Sequence, residues 1–231
     1  MDKTTLEIIQ LYLKQVEEKY NVTIQVLPKS QSKLLKLLRP LIETFNKNYW
    51  NNYITTLGNT IWVPDNWLEP TSNDDVNVLL SKVEVIAHES IHIKQAKEQT
   101  IFIHNILYLF PQILVIFSLL AFLAIPFNIA WLWTLLFLLF LLPIPAPFRY
   151  LKELEGYRTK ILFYKIVYKV DNDGLQFAKN IIIQQLSGSS YYFAWPFKKL
   201  IQNDLNNEQA LQADEYKQIL SFLKSNNLLS Q

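Results

Sequence analysis

From Gln99 to Phe148 the chain contains no Asp, Glu, Lys or Arg, and no other feature restricts its folding as much. A helix that is apolar on every side has no polar face to present to water. Pro126-Phe127-Asn128 divides the run into two arms, Ile101–Ile125 and Ile129–Leu142. Each is near the ~20 residues that a bilayer span requires, the second with help from the turn and from the proline-rich stretch Pro143–Pro147. The pattern predicts a helical hairpin in a membrane over residues 100–148. Trp131 and Trp133, just past the turn, suit an aromatic belt at an interface, and Tyr108 suits the other side if the helix emerges well before Pro111. Pro111-Gln112 shortens the first arm to roughly 15 residues, which fits a re-entrant wedge as well as a transmembrane hairpin. The core of an oligomer is the other place for such a pair. Lys94, Lys97, Arg149 and Lys152 flank the two ends while the turn is uncharged. The positive-inside tendency then predicts an integral membrane protein whose remaining chain faces the cytoplasm.

Half of the 231 residues are hydrophobic, and the formal net charge is only +2. With no basic stripe interleaved with aromatics, nucleic acid is not an expected partner. The absence of cysteine excludes disulfides and thiolate metal ligands. The opening residues MDKTTLEIIQ are charged and helically periodic, unlike a secretory signal.

Outside the apolar run, most of the periodicity is helical. Leu6, Ile9, Leu13, Val16 and Tyr20 recur at spacings of three and four and predict a helix over Thr4–Tyr20. Asn21–Leu27, ended by Pro28, reads as a strand. Gln31–Tyr49 reads as a helix that Pro40 kinks or splits. Tyr53–Leu57 and Thr60–Val63 flank Gly58-Asn59, a pair suited to a tight hairpin turn. A long helix follows from about Asp75 to Gln99, with Ser72, Asn73 or Asp74 as its cap. Arg149–Val170, Leu175–Leu186 and Glu208–Lys224 read as further helices. The expectation is an α+β chain, mostly helical, with a small antiparallel or mixed sheet. Residues 1–99 and 149–231 form one soluble fold, interrupted by the hairpin at 100–148.

The long helix carries His88-Glu89-Ser90-Ile91-His92, an H-E-x-x-H pattern that uses two of the three histidines. Positions i and i+4 share a helix face, so both imidazoles can reach one metal ion. Glu89, one step round the helix, is placed to act as general base on a metal-bound water. The plain alternative is two surface or core histidines beside an ion-paired glutamate. A catalytic zinc needs three protein ligands and one open position. The metzincin continuation H-E-x-x-H-x-x-G-x-x-H is absent. Gln95 stands in place of the glycine, and Glu98 occupies the third-ligand slot on an unbroken helix that points it away. His104, at the mouth of the apolar run, reads as an interfacial or packing histidine.

A third ligand is available beyond the hairpin, in Glu153-Leu154-Glu155-Gly156-Tyr157. Together with the H-E-x-x-H helix, this segment resembles the gluzincins, in which a second helix brings a glutamate in a pattern like E-x-x-A-D. The layout, with an apolar hairpin between the two motifs, is similar to the HtpX and CaaX-prenyl-protease branch. The lack of an apolar segment before His88 is more like a minimal gluzincin. The resemblance covers about Thr60–Lys160. It implies a zincin-like fold, a Zn2+ ion held by His88, His92 and Glu153, and Glu89 as the catalytic base. Glu155 is the rival to Glu153, since residues two apart on a helix cannot both face the ion. Small Gly156 lets two helices approach closely. Tyr157 stands where the family has an acidic or amide residue, so its hydroxyl, or Glu84 one turn before His88, is the candidate to orient a ligand histidine.

Tyr157, Arg158, Tyr191 and Tyr192 are candidate oxyanion donors. The resemblance also implies that substrate adds as a strand at the sheet edge before the active helix, here Thr60–Val63 with Trp62 as a wall. The implied activity is that of a membrane-bound zinc metalloendopeptidase acting on a protein or peptide substrate at the bilayer. Competing readings are a non-enzymatic membrane scaffold with a vestigial metal site and a zinc hydrolase acting on a non-peptide bond. The intact Glu89 favours an enzyme.

Overall fold

Ile9, Leu13 and Val16 line one side of the first helix, α1 (Thr5–Tyr20), and all three are buried. Ile8 and Tyr12 widen that stripe, whereas Leu6 stays exposed. The computed structural model describes residues 5–45, 47–69, 76–120, 127–191, 193–207 and 213–226. The chain divides into two units, one made of Met1–Glu98, Gly156–Val170 and Gln209–Gln231, the other of Gln99–Glu155 and Asp171–Glu208.

In the first unit, β1 (Gln25–Pro28) leads through a 3-10 turn into α2 (Lys33–Phe45) and the short α3 (Tyr49–Asn52). Pro40 is accommodated inside α2, and the helix ends at Phe45, short of the expected Tyr49. The predicted hairpin forms from β2 (Thr55–Leu57) and β3 (Thr60–Val63), paired antiparallel with Leu57 opposite Thr60. Gly58 turns the chain at φ 61°, a left-handed conformation that glycine adopts without a Cβ penalty. β1 pairs parallel with β3, so the sheet order is β1-β3-β2. Thr60–Val63, expected at the edge, is therefore the central strand. Of the strand expected over Asn21–Leu27 only the end forms, and β1, Gln25–Pro28, pairs with all four residues of β3 and covers that side. The sheet edges are β1 and β2.

α4 (Val76–Gln99) runs unbroken through the H-E-x-x-H segment. Its cap candidates Ser72, Asn73 and Asp74 lie outside the described residues. Leu80, Val83, Ile86 and Ala87 of α4 join Ile9, Ile61, Val63, Phe163 and Phe222 in one apolar cluster. Burying such side chains contributes ~1.5–3 kcal/mol each relative to exposure. This packing holds the α4 backbone in place under its two histidines.

The second unit begins with α5 (Ile101–Leu109), whose first turn is capped by Thr100. Pro111 has no N–H with which to continue the ladder. The chain bends by 86° there into a 3-10 helix, Gln112–Ser118. The second arm is a 3-10 helix of 13 residues, Ile129–Leu141. Among the described residues no single helix is long and apolar enough to cross a membrane, but the bent pair passes that test jointly. The first arm is thus broken at Pro111-Gln112, the position where the sequence allowed a shortened arm. The division at Pro126 lies outside the described residues.

The arms are turned inside out relative to an ordinary core. Phe127 is 90% exposed and Leu136 64%, whereas Thr134 is 0% exposed and Ser118 is also buried. Both hydroxyls donate within their own helices, Ser118 Oγ to Val115 O and Thr134 Oγ1 to Trp131 O, each at 2.7 Å. Gln112 Nε2 donates to Ile144 O at 3.0 Å.

α6 (Pro147–Ile166) follows, then α7 (Asn172–Ser187), capped by the Asp171 carboxylate, and α8 (Lys198–Asn206). Tyr150 stacks on Trp195 and donates its hydroxyl to Asp204. The last helix, α9 (Ala213–Ser225), returns Phe222 and Leu223 to the core of the first unit. The start expected for this helix, at Glu208, lies outside the described residues.

Three of the four flanking cations do not stand at a surface. Lys94, Arg149 and Lys152 are buried, and only Lys97 is exposed. Arg149 donates to Tyr108 O and Gln112 Oε1, both at 3.0 Å. Lys152 Nζ donates to Gln99 Oε1 at 2.6 Å and lies 3.0 Å from His104 Nδ1. Arg149 and Lys152 are thus engaged in internal hydrogen bonds.

Candidate metal centre

One turn apart on α4, His88 and His92 present their rings to the same side, with centroids 5.2 Å apart. Both are buried. His92 Nδ1 lies 3.2 Å from Gln95 Oε1. A carbonyl oxygen only accepts, so the contact suits the tautomer in which Nδ1–H donates to Gln95 and Nε2 keeps its lone pair for a metal. Gln95, in place of the glycine of the other pattern, thus orients a histidine from one turn further along the same helix.

His88 is set by α6. A Cβ at Gly156 would meet Cε1, Nδ1 and Nε2 of His88 at 2.7, 2.8 and 2.9 Å. The imidazole occupies the space a side chain would fill. Tyr157 packs against the same ring edge-on, centroids 5.0 Å apart. Glu84, the other candidate to orient a ligand histidine, is engaged by Lys160 Nζ at 3.0 Å.

One turn before Gly156 on the same face of α6 stands Glu153. It is buried, and Tyr108 donates its hydroxyl to Glu153 Oε1 at 2.6 Å. His88, His92 and Glu153 each offer one ligand atom, and these atoms lie within 4.8 Å of one another. A tetrahedral ion bound at ~2.0–2.2 Å sets its donors roughly 3.3–3.5 Å apart. The buried group could hold a metal ion: the donor types suit one, and the glycine cradle fixes one of the rings. Glu155, only half-buried, is not part of the group, and Glu98 is exposed.

Glu89 is buried beside the ligand pair, and Thr56 Oγ1 donates to its Oε2 at 2.6 Å. Thr56 lies on β2, a sheet edge. Beneath that edge, Lys29 is fully buried, donates to Tyr49 O at 2.6 Å and lies 3.9 Å from the centre of the Tyr49 ring. Burial pulls its ammonium down to about 8, with Asp65 and Glu89 pulling the other way. Tyr49 is pushed up by burial, opposed by its bond to Thr55 and reinforced by the charge of Glu89, so its phenol keeps its proton. For Lys160, burial is the largest influence and acts downward, but Glu84 and Tyr164 together outweigh it and raise the ammonium above its ordinary value. Burial and Glu84 together raise the Tyr168 phenol. This cluster ties α6 to α4 in the turns beyond Gly156.

All four candidate site residues, His88, Glu89, His92 and Glu153, are buried. Of the candidate donors, Tyr157 packs on His88, the Tyr191 carbonyl accepts from Arg149 at 3.5 Å, and Tyr192 lies outside the described residues. Thr56, Gln95 and Tyr108 were not legible as site residues. Gln95 alone had a local signal, since it lies three positions after His92 on one helix. His104 is a buried packing histidine, stacked on Tyr108 with ring planes 21° apart.

No family model, no curated protein and no solved structure matches the chain.

Proposed function

We propose that the chain is a membrane-bound, zinc-dependent metalloendopeptidase of gluzincin type. The observation that carries this reading is a buried two-histidine, one-glutamate group with a second buried carboxylate, Glu89, on the same helix turn. His88, His92 and Glu153 would hold the ion. Bound there, zinc supplies Lewis-acid polarisation of a carbonyl and a water acidic enough to deprotonate near neutrality.

The rest of the reaction falls to the chain itself. Glu89 accepts the proton of the attacking water and returns it to the leaving amine nitrogen as the C–N bond breaks. Thr56 holds one oxygen of that carboxylate and so fixes its direction. An extended peptide laid along the free edge of β2 would pass the Thr56–Glu89 pair, which makes β2 the docking strand. The lipid setting is supported by the apolar exterior and polar interior of the hairpin arms, since soluble monomers rarely expose large contiguous apolar surface. In lipid every internal polar group needs a partner, and Ser118, Thr134 and Gln112 have theirs. The intact, positioned Glu89 favours an enzyme over a scaffold.

Metal content and hydrolysis of the purified protein test the reading together. The expected result is one zinc per chain in the wild type and in Glu155→Ala, and none in His92→Ala or Glu153→Ala. Glu89→Gln should keep its zinc and lose ~10²–10⁴-fold in peptide hydrolysis. Zinc without hydrolysis in the wild type would leave the scaffold reading standing, and a wild type without zinc would overturn the enzyme reading. A cysteine at position 128, labelled from one side only, tests the orientation expected for the hairpin.

A further inference from the structure

We infer that the outward leucine face of α2 docks on an anionic lipid surface, a contact separate from the apolar hairpin and independent of the metal centre. α2 is anchored to its own unit by buried Leu35. Three of its leucines face out: Leu37 is 77% exposed, Leu34 54% and Leu38 36%. At 100° per residue these three fall within a single arc of roughly 100°, on the side of the helix that the fold leaves uncovered. Three neighbouring leucines open to water cost apolar hydration that a soluble surface normally avoids.

The charge pattern names the occupant. Lys33, Lys36 and Arg39 lie outside the leucine arc and are exposed. Between Lys29 and Tyr49 the only acid is Glu43, and it is taken by Arg39 Nε at 2.9 Å. A short helix with leucines on one face and cations on the other lies flat in the headgroup layer, with its long basic side chains reaching up to lipid phosphates. Two copies paired through this face would bring like-charged lysines together, which disfavours self-association as the occupant. Bilayers with anionic headgroups offer both components at once: an apolar layer for the leucines and negative charge for the lysines.

The full chain has no cysteine, so single labels report without background. An environment-sensitive dye at Leu37→Cys is read in phosphatidylcholine vesicles with and without phosphatidylglycerol, using brominated lipid as quencher. The expected result is blue-shifted, quenched emission in the anionic vesicles alone, with a Lys36→Cys label left in water. Raised salt weakens the signal, and Lys33→Gln lowers docking about fivefold. A Leu37→Cys label that stays aqueous in anionic vesicles overturns the inference. So does equal quenching in both vesicle types, or a blue shift in detergent that grows with protein concentration, the mark of a second copy. A label at Phe127→Cys reads the hairpin separately. If it stays aqueous while Leu37→Cys is quenched, the hairpin reading fails and this one survives; the converse removes this one.

Discussion

The apolar cluster around α4 and the arms after α5 bury opposite kinds of side chain. Around α4, Val83, Ile86 and Phe163 fill the inside, and the charges buried with them, Glu84, Lys94 and the site residues, are few beside that apolar cluster. In the arms, Ser118 and Thr134 are inside while Phe127, Ile129 and Leu136 are outside. Both regions are rich in leucine, isoleucine and phenylalanine, so composition alone does not separate them. What separates them is which residues are withdrawn from the surroundings, and that is a statement about the solvent each region is built for. Water drives apolar groups inward. A hydrocarbon surrounding has no such preference but penalises every unsatisfied polar group.

The sharpest way to disturb the water-facing region is at Gly156. Gly156→Ala puts a methyl group where the His88 ring lies, so zinc affinity should fall on the order of 100-fold or more, read by competition with a chromophoric chelator. Next in size is a matched pair of charge insertions. Leu136→Lys on an exposed face of the second arm should cost ~2.5–3.5 kcal/mol of insertion if that face meets lipid, seen as loss from carbonate-washed membranes. Leu6→Lys on exposed α1 should shift stability by no more than ~0.5 kcal/mol. Equal, small effects at both positions would erase the distinction between the regions.

Smaller effects probe single bonds. Tyr108→Phe removes the donor to Glu153, and Gln95→Leu removes the acceptor of His92. Each should weaken zinc about 10–100-fold without unfolding the protein, since outer partners tune ligands to that extent. The smallest effect concerns Lys29. Its ammonium sits at about 8 in the fold against an ordinary 10.5. Between those values the unfolded chain holds a proton that the folded chain lacks, so the contribution of Lys29 to stability rises with pH across that window. The gain is at most about 1.4 kcal/mol per pH unit. The metal-free wild type should gain in thermal midpoint relative to Lys29→Met from pH 8 to 9.5. A parallel pair of curves would show that Lys29 titrates normally. Lys160, raised by Glu84, acts in the other direction, its contribution being lost as pH climbs past 10.5.

What could be read from the sequence was what depends on neighbours along it. His88, Glu89 and His92 share one helix, and α4 forms because its apolar positions repeat with helical spacing. Gly58-Asn59 places the hairpin turn for the same local reason. Gly156 was legible as a close-approach residue, though not its partner. Thr56 and Glu89 are 33 positions apart, and Tyr108 and Glu153 are 45, so no periodicity links them. The sheet order failed for a related reason, since a parallel partner such as β1 leaves no trace in the spacing of β3. The surroundings of the flanking cations could not be read, because charge in a sequence carries no sign of burial. Arg149 and Lys152 look like surface charges until their hydrogen-bond partners are known.

Gly156 also bears on how this chain can change over time. A single-base change to a glycine codon that yields another amino acid always adds at least a β-carbon. Each such change at this position places an atom in the space of the His88 ring, 2.7 Å from Cε1. Position 156 therefore has no silent neighbour among protein variants one mutation away. Glu155 is half-buried and outside the ligand group, and a survey of tolerated substitutions should show more of them at 155 than at 156.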